Sequence, residues 1–336
     1  MKILVTGSSG HLGEALMRTL RASQREVVGI DITASAYTDI VGTIADRATV
    51  AHCMRDVDAV LHAATLHKPH VATHSRQEFV DTNITGTLNL LEEAKAANIR
   101  AFVFTSTTST FGRALVPAPG EPAAWIDEDV VPVPKNIYGA TKTAAEDLCE
   151  LFARNWKLPC LVLRTSRFFP EEDDHRERRE AYVDANLKAN EFLYRRVDVA
   201  DIVDAHLLAI ERATALGFRK YIISATTPFT RADLAELRSD APAVVARRVP
   251  GYAEAYAHAG WKMLSSIDRV YANARARREL GWQPKYDFAH AIACLREGRD
   301  FRSPLAQAIG SKGYHNEVFE DGPFPVEHLP LEHSPH

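Results

Sequence analysis

Tyr138 and Lys142 stand four residues apart, a spacing that puts both side chains on one face of a helix. A phenol ordinarily titrates near 10, so passing a proton near neutrality requires the phenolate to be stabilised by about 3 pH units, or about 4 kcal/mol. An ammonium one turn away supplies part of that field. Thr107 follows the apolar run Ala101 to Ser106 and offers a hydroxyl to a substrate oxygen that gains or loses its proton. Thr107, Tyr138 and Lys142 are the expected catalytic set.

A second constellation opens the chain. Thr6-Gly7-Ser8-Ser9-Gly10-His11-Leu12-Gly13 joins a strand pattern to a helix pattern. Gly7, Gly10 and Gly13 let the backbone turn sharply, so that the N–H groups at the helix start, around His11 and Leu12, meet a pyrophosphate where the helix dipole favours anions. Asp31 lies 18 residues past Gly13, at the end of the next strand, where a carboxylate takes both hydroxyls of an adenosine ribose. Its charge repels a 2′-phosphate, and no Lys or Arg follows until Arg47. The expected cofactor is therefore NAD rather than NADP, and its nicotinamide cation supplies the rest of the field acting on Tyr138.

These groups need a scaffold of alternating elements. Strand patterns cover Lys2 to Gly7, Glu26 to Asp31, Asp58 to Ala64, Ala101 to Ser106, Pro159 to Ser166 and Lys220 to Ala225, and helix patterns cover Leu12 to Arg21, Gln77 to Ala97 and Asn136 to Trp156. Short β-rich runs separated by helices predict a parallel sheet covered on both faces. The expected fold is α/β, a Rossmann-type doubly wound sheet with a smaller, mostly helical C-terminal substrate domain. Residues 1–166 form the nucleotide-binding part, with a returning segment at about 196–225. Residues 167–195 and 226–300 form the substrate region, and 301–336 a tail. Glu171 to Glu180, nearly all charged, reads as a solvated loop or helix start.

Composition narrows the function classes. In 336 residues, 46% hydrophobic and 25% charged, the net charge is −4, leaving no basic field for nucleic acid or an anionic membrane. No apolar run is long enough for a span. Cys53, Cys149, Cys160 and Cys294 are dispersed and suit a reducing compartment rather than a zinc cage or disulfide framework. With no signal-peptide pattern before the first strand, the expected location is cytoplasmic. His67, His70 and His74 have a spacing compatible with a metal, but hydride transfer needs none, and no metal is expected. His67 and Lys68 are expected at the substrate; His11 and the tail histidines are expected to be solvated.

The glycine turn, acidic strand end, post-strand hydroxyl and Tyr/Lys helix, in that order, resemble the extended short-chain dehydrogenase/reductase family in its NAD-dependent epimerase/dehydratase branch. The resemblance covers about residues 1–225 and continues weakly to Leu280-Gly281-Trp282-Gln283-Pro284. It implies adenine contacts at Thr43 and Ile44, with Thr43 replacing the usual Asp. It also implies a cofactor-lining strand end at His62-Ala63-Ala64, a buttressing Asn83, and a catalytic segment Thr105-Ser106-Thr107. Lys142 would also hold the nicotinamide ribose. Arg167 replaces the family's usual Asn, which suggests an anionic group on the substrate.

The implied reaction is hydride transfer from a sugar or nucleotide sugar, with Tyr138 taking the hydroxyl proton. Thr108-Ser109 stand where the dehydratases carry an Asp-Glu pair, which disfavours elimination. Arg195-Arg196-Val197-Asp198 resembles the end of the diphosphate-binding segment of the nucleotide-sugar epimerases, with Arg196 at the substrate and Thr108 beside it. The leading expectation is a UDP-glucose 4-epimerase-like enzyme. The alternative is a sugar or sugar-acid (uronate-type) dehydrogenase that releases NADH, suggested by the short Phe169 to Arg195 segment and by Pro170-Glu171; a non-catalytic NAD-binding regulatory protein comes last. A homodimer is expected through Leu88, Leu91 and Ala94 with Ala144, Leu148 and Leu151.

Overall fold

The computed structural model describes residues 1–313 and Phe319; the tail histidines lie outside the described residues. Nine strands form in chain order: β1 (Lys2–Thr6), β2 (Glu26–Asp31), β3 (Ile40–Val41), β4 (Ala59–His62), β5 (Ala101–Thr107), β6 (Ala124–Ile126), β7 (Cys160–Thr165), β8 (Phe218–Ile223) and β9 (Arg269–Tyr271). Seven make one parallel sheet in the order β3-β2-β1-β4-β5-β7-β8, and β6 pairs with β9 in a separate parallel ribbon. The helices that matter below are α1 (His11–Ala22), α2 (Gly86–Ala96), α3 (Ile137–Trp156), α4 (Val199–Leu216) and α5 (Pro304–Ile309).

Alternation along each strand feeds two cores. Ile3, Val5, Leu61, Val103 and Leu161 pack on one face with residues of α1 and α4. Leu4, Val60, Phe102, Phe104 and Val162 pack on the other with residues of α2 and α3. Strands buried on both sides in this way read as continuous apolar runs, and that is why they stand out in the sequence. A third core, around Phe192, Val244, Tyr256 and Phe288, holds the helical C-terminal region together. Trp282 is fully buried, and its indole N–H donates to the carbonyl of Asp201 at 2.9 Å, which anchors this region to α4.

Part of the helix stripe expected at a dimer interface is core: Leu91 and Ala94 are fully buried against the sheet. Leu88 is exposed, and Ala144, Leu148 and Leu151 are half-buried. No helix among the described residues is long and apolar enough to cross a membrane.

Order in the sheet reverses between β1 and β4, and the crevice at their C-terminal ends is where such folds bind ligands. Gly7 leaves β1 with φ +71°, and a Cβ there would stand 2.7 Å from the Ala64 nitrogen at the end of β4. A Cβ on Gly13 would fall 1.8 Å from the Gly7 carbonyl oxygen. Only glycine lets α1 close onto the turn at these two points.

Candidate functional site

One cleft of about 1600 Å³ runs along the C-terminal edge of the sheet. At one end it is walled by Gly7, Gly10, His11, Leu12 and Gly13, with Asp31, Thr43 and Ile44 beside them. No side chain caps the start of α1, where Gly10 is the N-cap, so its first N–H groups are left for an anion. Asp31 is fixed by two backbone donors, Ser9 N–H to Oδ2 at 3.0 Å and Thr33 N–H to Oδ1 at 2.9 Å. The uncapped turn, the two positions that a Cβ would obstruct and the anchored carboxylate fit a dinucleotide.

Ala63, Ala64, Thr105, Thr107, Thr108 and Tyr138 line the middle of the cleft. Asn136 caps α3 by accepting from the Gly139 N–H at 3.0 Å, which starts the helix just before Tyr138. Thr107 ends β5, where its hydroxyl accepts from the Ser109 N–H at 3.1 Å. Burial pushes the Tyr138 phenol up to about 12, while a hydrogen bond with the Thr107 hydroxyl pulls the other way. Lys142 is set one layer below the cleft surface. Its ammonium donates to the Thr105 carbonyl at 2.7 Å and lies 4.0 Å from the centre of the Phe104 ring. Burial draws it down to about 7, opposed by the charge of Glu146. Desolvation is the largest influence on both groups.

His62, expected to line the cofactor, stands behind the wall instead, and Asn83, expected as a buttress, is bonded behind it as well. His62 is 1% exposed; its ring bridges Thr6 Oγ1 at 2.8 Å and Thr87 Oγ1 at 3.0 Å, and burial drives its pKa well down. Such a ring holds β1, β4 and the neighbouring helix together. Asn83 sits in a π-helical turn, Val80–Thr85, ahead of α2. It donates to the Leu66 carbonyl at 2.9 Å and to Thr141 Oγ1 at 3.0 Å, and accepts from the Leu66 N–H at 2.9 Å. It therefore ties the β4 exit loop to α3.

The far end of the cleft is cationic. Lys68, Lys135, Arg167, Arg178, Arg195 and Arg269 line it, with Asp174 the acid among them. Lys68 pairs with Asp174 at 2.9 Å and Arg167 with the same carboxylate at 3.1 Å. Among the described residues, the buried Nε atoms of Arg195 and Arg269 find no hydrogen-bond partner. Burial and the neighbouring cations Arg269 and Arg113 lower the pKa of Lys135, the mark of a site where positive charge is crowded.

Three expectations are corrected here. Arg196 is not among the residues that line the cleft, where Arg195 stands. Arg196 instead packs against Glu191 at 2.6 Å and the Phe169 carbonyl at 3.0 Å. The acidic run is not solvated throughout, because Glu171, Asp173 and Asp174 are buried. Cations from distant segments neutralise them, Arg195 reaching Asp173 at 2.5 Å. His11 is likewise buried, its ring centre 5.3 Å from that of Phe169 in an edge-to-face contact and Nε2 3.1 Å from Glu171.

His67, His70 and His74 do not share an α-helical face. Lys68–Ala72 is a tight 3-10 turn in which His70 Nδ1 accepts from the His67 N–H at 3.0 Å, and His67 stacks on Phe169. Among the described residues no group of three His, Cys, Asp or Glu side chains is placed to hold a metal.

The profile of the NAD dependent epimerase/dehydratase family matches residues 3–223. This chain belongs to that family. Members are NAD-dependent enzymes. A UDP-glucose 4-epimerase from Rhizobium meliloti (strain 1021) is 28% identical over 322 residues, spanning 85% of this chain and 93% of its own. A dTDP-glucose 4,6-dehydratase from Streptomyces antibioticus is 29% identical, spanning 91% and 95%. A short-chain dehydrogenase/reductase superfamily protein from Agrobacterium tumefaciens with bound NAD shares the fold, with TM-score 0.61 at 22% identity over 92% of this chain and 99% of that one.

Several supports of this epimerase/dehydratase site escape sequence reading. Glu146 takes a fork from buried Arg164, Nη2 to Oε2 at 2.6 Å, and accepts from Ser106 Oγ at 2.6 Å. Its spacing from Lys142, one further turn along α3, is the signal that could have found it. His206 on α4 bonds Thr105 Oγ1 at 2.8 Å, and burial lowers its pKa to about 4. Nothing local in the sequence indicates that contact.

Proposed function

We propose that this enzyme epimerises an anionic sugar, with a nucleotide sugar as the leading class. The observation that carries this reading is the cationic end of the cleft, facing Thr107 and Tyr138 across the space beyond the dinucleotide turn. The sugar would sit with one hydroxyl at Thr107 and Tyr138 and its anionic group against Lys135, Arg167, Arg195 and Arg269. The full-length UDP-glucose 4-epimerase relatives support the same class. Thr108 and Ser109 line the cleft where elimination would need carboxylates, which disfavours a dehydratase.

NAD, when bound, supplies the acceptor for the substrate hydride and, in an epimerisation, gives it back. Tyr138 Oη, as the phenolate, takes the hydroxyl proton as that carbon becomes a ketone and returns it afterwards. Thr107 holds the same oxygen by a hydrogen bond. Lys142, bonded to Thr105, fixes α3 against β5 and keeps positive charge beneath the phenol whenever it is protonated.

One observation favours a second reading, a sugar-acid dehydrogenase. Asp174 neutralises much of Lys68 and Arg167, which suits a single carboxylate better than a diphosphate. Incubation with a panel of sugars, sugar acids and nucleotide sugars plus NAD decides between them. A changed sugar without net NADH supports the epimerase; NADH formed in proportion to substrate replaces it with the dehydrogenase. Homodimer pairing through exposed Leu88 and half-buried Ala144, Leu148 and Leu151 is part of the proposal, and sedimentation as a monomer at micromolar concentration would remove it.

A further inference from the structure

Glu171 lies between the glycine turn and the C-terminal segment and is bonded to both. Its Oε1 is 3.1 Å from His11 Nε2. The same atom accepts from the Ser311 hydroxyl at 3.0 Å and from the N–H groups of Lys312 and Gly313 at 3.1 Å each. Lys312 then extends to Glu14, in the first turn of α1, with Nζ 2.5 Å from Oε2.

Both carboxylates are buried, so each costs free energy unless it is paired. Burial pushes Glu171 upward, but the hydrogen bond and charge of His11 outweigh it and hold the group at about 2. Glu14 is held below its ordinary value in the same way, burial being outweighed by Lys312 and Arg18. The apolar side chains of α5 already secure that helix to the core shared by α1 and α4. The carboxylates act one step further along the chain, where Lys312 and Gly313 form the cleft wall together with Gly7, Gly10 and His11.

We propose that Ser311–Gly313 is an outer wall of the dinucleotide site, fastened by Glu171 and Lys312, and that the dinucleotide leaves only when this latch opens. The purpose of the latch rests on the epimerase reading. An epimerase keeps its dinucleotide between two hydride transfers, whereas a dehydrogenase must exchange it at every turnover.

The test is stopped-flow displacement of NADH from the full-length chain, followed by its fluorescence with no sugar present. Lys312→Ala and Glu171→Gln should each speed release roughly tenfold or more, with no further gain in the double variant. Arg302→Ala, beside α5 but outside the latch, should leave release within about twofold of wild type. Unchanged release from folded Lys312→Ala overturns the proposal, as does a lowered urea midpoint without faster release. Because no sugar is present, a failed latch leaves the epimerase reading untouched. NADH accumulating in the sugar panel would end that reading without touching the release rates.

Discussion

Lys142 Nζ donates to the carbonyl oxygen of Thr105 at 2.7 Å, two residues before Thr107 on the same strand. A single buried bond thus sets the separation between the helix that carries the phenol and the strand that carries the substrate-facing hydroxyl. Glu146, one turn further along α3, repeats the arrangement by accepting from Ser106 Oγ. Two successive turns of α3 are therefore pinned to two successive residues of β5, and Tyr138 projects from the turn before them into the cleft.

Replacing Tyr138 by Phe removes the proton acceptor but leaves the ring that fills its place. The kcat should fall by about a hundredfold to ten-thousandfold, with NADH affinity within about twofold of wild type because the turn at Gly7–Gly13 is untouched. Steady-state turnover and NADH titration check the two arms separately. Full activity in the variant would refute the assignment.

Asp31 is held by two N–H donors, so its charge cannot swing aside for a 2′-phosphate. Calorimetry should find NAD bound about tenfold or more tighter than NADP, and Asp31→Ser should erase most of that gap. Equal affinities in the wild-type protein would contradict the role given to this carboxylate.

Glu146 is fully buried and Arg164 nearly so. Glu146→Gln leaves the guanidinium without its counter-charge in the interior, and breaking such a pair costs about 3–5 kcal/mol. Urea denaturation should show this loss as a lower midpoint. The same change frees Ser106 next to Thr107, so kcat should fall in the protein that remains folded. A midpoint equal to wild type would show that the interior tolerates the unpaired cation.

Acid should loosen the protein partly through Glu171. Its folded value of about 2 lies below the ordinary 4.5, so the unfolded chain takes up this proton first as pH falls. The group's contribution is complete above about 4.5 and is lost between there and about 2, a total of about 3 kcal/mol. Stability measured from pH 6 to pH 3 should therefore fall less steeply in Glu171→Gln than in wild type. Identical slopes would place the acid sensitivity elsewhere.

Runs such as Lys2–Thr6 and Cys160–Thr165 were legible because burial on both faces writes the fold into adjacent residues. The cleft's central groups were legible for a related reason: a turn, a strand end and a four-residue helical spacing are local patterns. The misread parts are long-range. Glu171, Asp173 and Asp174 form a charged run whose partners include the side chains of His11, Arg167, Arg195 and Lys68 and the backbone N–H of Lys312. Periodicity cannot reveal pairings of that length. Arg195 and Arg196 differ only in which side of one bridge they occupy. Strands of three residues, such as β6 and β9, carry too little alternation to register.

The ribbon formed by those two strands bears on how the molecule is made. Ala124 aligns with Arg269 and Ile126 with Tyr271, so the wall beyond β5 is finished by a piece of chain synthesised much later. The main-sheet strands up to β7 can pair as they leave the ribosome, and closing so large a loop last is slow but thermodynamically tolerable. A nascent chain stalled before Arg269 would therefore hold a formed glycine turn beside an unfinished cleft, and translation of Arg269–Tyr271 would decide when that wall is complete.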